Sequence, residues 1–152
     1  MFKQKINKKS AIQIKNFKEY FFKITTISTM ITIWVFYKSN TEFEFIFMSF
    51  ALIFHFIAVI GTAFHIDWCI NLTDLFFTIL MVIGIIFSTS PAILLYLIYL
   101  NLLTLGTRYF FKGCLFKLST KKSHRLLPRF VSADVLHSIM IAIILLKLFY
   151  YK

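Results

Sequence analysis

Six side chains stand out in this mostly apolar chain: His55, Asp74, Asn101, Arg108, Asp134 and His137. In a bilayer, ionisable and amide groups are costly to bury, so these are the first candidates for chemistry. His55 shares a helical face with Thr62, and Asn101 shares one with Thr104 and Arg108. His137 falls one turn after Asp134 on the same face, with Ser138 beside it. Together they could form an intramembrane polar layer. Its sharpest use is a path from Arg108 past Asn101 to His55 that relays protons or gates a small ion. The quieter use is interhelical hydrogen bonding worth about 1 kcal/mol per bond, and the spacing favours it.

Three of these residues also suit helix ends. Asn71 can cap a helix that places Asp74 at its third position, and Ser132 can cap one that places Asp134 in its first turn. An acid near a helix N-terminus and a cation such as Arg108 near a C-terminus both complement the helix dipole. Asp134 keeps one peculiarity: only Val135–Leu146 separates it from Lys147, about 18 Å of helix. One of the two must intrude on the hydrocarbon. Lys147 can snorkel to the surface, whereas Asp134 needs a partner, either Arg108 or a protonated Asp74.

Metal and cofactor chemistry find weaker support. His65, Cys69, Cys114 and His124 could supply a Cys2His2 zinc site, but Cys114 and His124 lack the short spacing of such ligands. His55 and His137 could bracket a haem only if their depths agreed, and the expected depths differ by about half the bilayer. No nucleophile elbow, phosphate loop, metalloprotease helix or selectivity filter occurs. No metal, cofactor or enzymatic activity is expected.

The elements that must position these residues follow from composition. The chain is 59% hydrophobic and only 15% charged, with a mean hydropathy of +0.80, more apolar surface than a 152-residue globular core can hide. An all-α, polytopic membrane domain spanning residues 1–152 is the expected class. Leu75–Thr107 contains no Asp, Glu, Lys or Arg. As one helix it would run about 50 Å against a hydrocarbon core of about 30 Å. Ser88-Thr89-Ser90-Pro91 breaks it, since Pro suits the first turn of a new helix. The expected spans are Phe21–Tyr37, Phe45–Ile66, Leu72–Thr89, Pro91–Arg108 and Ser132–Tyr151, with a basic loop over 108–131. Residues 1–20 are expected to lie as a basic helix on an anionic membrane surface, with Ser10 and Gln13 as a capping box and Lys23 snorkelling.

Charge fixes the expected topology. Lys3, Lys5, Lys8, Lys9, Lys15, Lys18 and Lys23 precede the first span, and Arg108, Lys112, Lys117, Lys121, Lys122, Arg125 and Arg129 fill the loop. Four intervening spans put both groups inside, with the N-terminus inside and the C-terminus outside. Ala58/Thr62 and Gly84/Ser88 have the spacing that lets helices approach closely, so the second and third spans should pack at Gly61 and Gly84.

The residue skew toward Phe, Ile and Lys fits an AT-rich organellar, viral or microbial origin, and hence a mitochondrial inner, viral or host, or plasma membrane. The expected role is a structural or accessory subunit that contacts anionic lipid headgroups and other membrane subunits. Nucleic acid is not an expected partner. The alternative is a small carrier or proton-conducting oligomer built on His55, Asn101 and Arg108.

Overall fold

The computed structural model describes residues 2–111 and 133–150, all-helical apart from short connections. The helices are α1 (Phe2–Tyr37), α2 (Glu42–Ala63), α3 (Asp67–Phe87), α4 (Pro91–Phe111) and α5 (Ala133–Tyr150). Helices α2, α3 and α4 are each long and apolar enough to cross a membrane. Neighbours in sequence pack together along α1, α2, α3 and α4, and α4 returns to α1 to close a four-helix ring. Helix α5 covers the seam between α3 and α4.

Helix α1 departs from the sequence expectation. It has 36 residues without interruption, about 54 Å, so no break separates a surface helix from a first span. A helix cannot lie flat and then cross a bilayer without such a break. Ser10 lies inside it, not at its start, and cannot cap it.

The capping box belongs instead to α2. The Thr41 hydroxyl accepts from the Glu44 N–H at 3.2 Å, and the Glu44 carboxylate accepts from the N–H groups of Asn40 and Thr41. Two orphan ends of the helix are satisfied reciprocally.

The α2–α3 turn is tighter than expected. Helix α2 ends at Ala63, and His65 adopts a left-handed φ of 59°, which lets the Ile66 N–H reach back to the Gly61 carbonyl at 2.8 Å. That six-to-one bond is a Schellman stop, a position usually held by Gly. Helix α3 therefore starts at Asp67, five residues before the expected Leu72. Asn71 and Asp74 lie inside the helix, so the proposed Asn71 cap is overturned and Asp67 is the acid of the first turn. The break between α3 and α4 falls at Ser88–Ser90, with Pro91 opening α4.

The core runs through the ring. Met48, Met81, Leu94 and Leu97 are fully or almost fully buried between α2, α3 and α4, and Met140 and Ile144 join them from α5. The outward faces are equally apolar: Ile27, Met30 and Trp34 of α1 and Val135, Leu146 and Phe149 of α5 are all more than half exposed. A protein dissolved in water rarely presents such continuous patches; hydrocarbon accepts them without cost.

The two interior glycines make close approaches at opposite ends of α2 and α3. A Cβ at Gly61 would lie 2.7 Å from the Cys69 Cβ and 3.3 Å from the Ile70 backbone nitrogen. A Cβ at Gly84 would lie 2.8 Å from both Leu97 and Phe47. Gly61 thus meets α3, whereas Gly84 meets α2 and α4 together. Ala58, Thr62 and Ser88 are buried beside them.

Candidate functional site

The polar residues assemble into two sets. The first joins α1, α2 and α4. Along α1, Thr25, Ser28, Thr29 and Thr32 recur on one helical face and are all buried. The hydroxyls of Thr25, Thr29 and Thr32 each donate to a carbonyl one turn back, at 2.7–2.9 Å, which lets a hydroxyl-rich face exist in an apolar bundle.

Hydrogen positions in this set follow from the acceptors. His55 Nδ1 is 2.8 Å from the Ala51 carbonyl, so Nδ1 carries the proton and Nε2 of the neutral ring accepts. The Ser28 hydroxyl, 2.9 Å away, donates to it. The Thr32 proton goes to the Ser28 carbonyl, so the Tyr96 hydroxyl, 2.9 Å from Thr32 Oγ1, is the donor of that pair. Each member has a partner, and the set ties three helices at one level.

The second set joins α4 and α5. The His137 Nδ1–H donates to Asn101 Oδ1 at 2.7 Å. The Asn101 amide donates to the Leu97 carbonyl at 2.8 Å and approaches the Met81 sulfur of α3 at 4.0 Å. Asn101 is completely buried, a position that an amide tolerates only with such partners. Two turns further along α4 and one turn back along α5, the Arg108 Nε–H donates to Asp134 Oδ1. Arg108 lies near the C-terminus of α4 and Asp134 in the first turn of α5, so both helix dipoles favour the pair.

Among the described residues no hydrogen bond joins His55 or Tyr96 to Asn101. The structure therefore brings Asn101 together with His137 and Arg108 with Asp134, and leaves His55 in the other set. Asp74 lies on α3, its carbonyl accepting from Thr78. His55 and His137, disfavoured as a haem pair, belong to different sets, each with Nδ1 bound. Of the zinc candidates, Cys69 is buried against Gly61 while His65 is exposed in the turn. Cys114, His124 and the Ser132 cap lie outside the described residues.

Two lysines have roles that the sequence reading missed. Lys147 reaches the end of a neighbouring helix: its ammonium donates to the carbonyls of Ile85, Ile86 and Ser88 at 2.6–3.1 Å. It closes the C-terminus of α3, where orphan carbonyls and the dipole both want a cation. Lys18, 8% exposed, donates to Asp67 at 2.6 Å and to the His65 carbonyl, fixing α1 against the α2–α3 turn. Lys23 pairs with Glu19 on the exposed side of α1. The signal for the hydroxyl face was present in the sequence as Thr25, Ser28 and Thr32 at offsets of three and seven. No sequence signal names the carbonyls that Lys147 reaches.

A cleft of about 80 Å³ lies inside the ring of α1–α4. Its wall is chiefly apolar, with Phe21, Phe47, Phe77 and Leu97 among its members, and the first polar set borders it through Ser28, His55 and Tyr96. Beyond Phe21, the Phe111 ring packs on Phe17 and Tyr20 at 5.8 and 5.3 Å and joins the end of α4 to α1.

Comparison of the chain with protein-family models, with curated proteins and with solved structures finds no match.

Proposed function

We propose that the chain crosses the bilayer five times and serves as a structural, accessory component of a larger membrane assembly. Its N-terminus and 108–131 loop lie inside, where basic residues near the membrane surface such as Lys23 and Arg108 meet anionic headgroups, and its C-terminus lies outside. Three apolar helices support membrane insertion. The packing of α1 and α5 into the same bundle, with lipid-compatible outer faces, supports adding them to the count. Five spans also keep the two groups of seven basic residues together.

The observation that carries the functional reading is how the polar side chains are used. His55 ties α2 to α1, His137 ties α5 to α4, Lys147 ties α5 to α3, and Lys18 ties α1 to the α2–α3 turn. Groups suited to chemistry hold helices in register instead. The carrier reading needs His55, Asn101 and Arg108 in one path, and their separation weighs against it. What remains for function is the outer apolar surface, which suits packing against other membrane proteins.

Native mass measurement after gentle detergent extraction tests this role. Stoichiometric hetero-partners are the expected result. A homo-oligomer without other subunits would contradict it and favour ion conduction.

A further inference from the structure

Beyond any structural role, the cleft inside the α1–α4 ring has a wall chemistry that selects its occupant. Seven lining residues carry a hydroxyl or a ring N–H, and each of these donors already has an acceptor within the chain. On α1, Thr25 donates to the Phe21 carbonyl and Ser28 to His55 Nε2. On α2, the His55 Nδ1–H goes to the Ala51 carbonyl. On α3, Thr73 donates to the Cys69 carbonyl. On α4, Tyr96 donates to Thr32, Thr104 to the Leu100 carbonyl and Thr107 to the Thr104 carbonyl.

Hydroxyl oxygens keep acceptor capacity after donating their single proton. The wall therefore offers acceptors and no spare donor. No charged side chain lines it, so an ion would lose its hydration without a counter-charge. A guest with only an acceptor would bury it unpaired, at a penalty comparable to a lost hydrogen bond.

The size is equally selective. An engineered apolar cavity of about 150 Å³ holds benzene, so about 80 Å³ suits a guest portion of only a few heavy atoms. The bilayer around the bundle concentrates such lipophiles.

We propose that this cleft binds a small, neutral lipophile, or the end of a larger one, whose polar group is a hydrogen-bond donor of the aliphatic alcohol class. The hydroxyl sits among Ser28, Tyr96 and Thr25, and the hydrocarbon lies against Phe47, Phe77 and Leu97.

The test uses the full chain in lipid nanodiscs and two isomeric probes, 1-butanol and methyl propyl ether. They match in size, but only the alcohol donates. Ligand-observed saturation-transfer NMR should show saturable binding of the alcohol, about five- to tenfold tighter than the ether, the worth of one hydrogen bond. Thr104→Phe, which fills the cleft from a half-buried wall position, should abolish the alcohol signal. Ser28→Ala removes the proton that occupies His55 Nε2 and exposes that nitrogen as a stronger acceptor, so alcohol binding should tighten severalfold. Unchanged or weaker alcohol binding would overturn the placement of the hydroxyl at this end of the cleft. Equal binding of ether and alcohol would overturn the donor rule. Undiminished binding to a folded Thr104→Phe variant would overturn the location. Absence of saturable binding by either probe would leave the cleft to water and overturn the proposal. Should Thr104→Phe fail to fold, the alcohol-to-ether ratio and the Ser28→Ala response still decide it.

Discussion

The two polar sets solve the same problem with different materials. Helices α1, α2 and α4 are tied by hydroxyls and one imidazole, all neutral, and each donor finds an acceptor within a turn or across one interface. Between α4 and α5 the amide and imidazole of Asn101 and His137 are followed, two turns on along α4, by the charged pair of Arg108 and Asp134. The side chains of that pair are 22% and 58% exposed, whereas Thr32 and Tyr96 are at most 3% exposed. Between these two sets, the charged pair is the partly exposed one, and the buried positions use neutral groups with internal partners. That gradient is what the cost of burying charge demands.

Mutations can break this contrast, and the largest effects should come from the apolar contacts that hold both sets in place. Gly61→Leu forces a side chain into the Cys69 Cβ and the Ile70 backbone, and Gly84→Leu into Leu97 and Phe47. Each should lower stability in detergent by about 3 kcal/mol, the upper end for overpacking. Gly106 has nothing within 4 Å of its notional Cβ, so Gly106→Leu should cost less than about 0.5 kcal/mol and is the matched control. Leu80 would be a poor control, because it lines the cleft and packs on the core. A Gly106→Leu loss equal to the other two, by chemical denaturation, would show that approach distance is not the cause.

The next effect concerns the charge that closes the end of α3. Lys147→Met keeps the stem but removes three charge-assisted bonds to the end of α3. The expected cost is about 2 kcal/mol, with earlier hydrogen exchange at Ile85–Ser88 than elsewhere in α3. Uniform exchange along α3 would show that the lysine does not hold that end.

The boundary pair should matter least. Asp134→Asn and Arg108→Gln are each expected to cost about 1 kcal/mol, with a coupling of similar or smaller size, since solvent exposure discounts the pair. The coupling should shrink as ionic strength rises. A salt-independent loss of about 3 kcal/mol would mean that the pair is shielded from water.

How much of this was legible depended on range. The hairpin at Ser88–Pro91 was legible because proline and three small polar residues interrupt an otherwise continuous apolar run. The capping box at Thr41 and Glu44 was equally readable, since Thr-Glu-Phe-Glu carries the spacing, but a similar pattern at Ser10 drew the attention. The start of α3 was misplaced because the Schellman stop uses His65 in a left-handed conformation, where sequence statistics point to glycine. Asn101 and His55 were recognisable as buried polar residues. Their partners were not, because His137 lies 36 positions from Asn101 and Ser28 lies 27 from His55. Pairing at that distance depends on which helices touch, and hydrophobic periodicity does not specify neighbours in a bundle whose α2, α3 and α4 are apolar on most sides.

Topology is open to a separate check. With Cys69 and Cys114 replaced by Ser, single cysteines at Ser10 and Ser119 should react from one side of the membrane and one at Asn40 from the other. Labelling of Ser10 and Ser119 from opposite faces would remove the five-span arrangement.

The most direct test of the claim that the polar residues fasten helices in two independent sets is a trio of double-mutant cycles in detergent unfolding. Thr32→Val with Tyr96→Phe should couple by about 1 kcal/mol, and so should Asn101→Leu with His137→Phe. Thr32→Val with His137→Phe should be additive. Coupling across the sets as large as that within them would mean that one continuous polar network runs through the bundle, and would contradict the account.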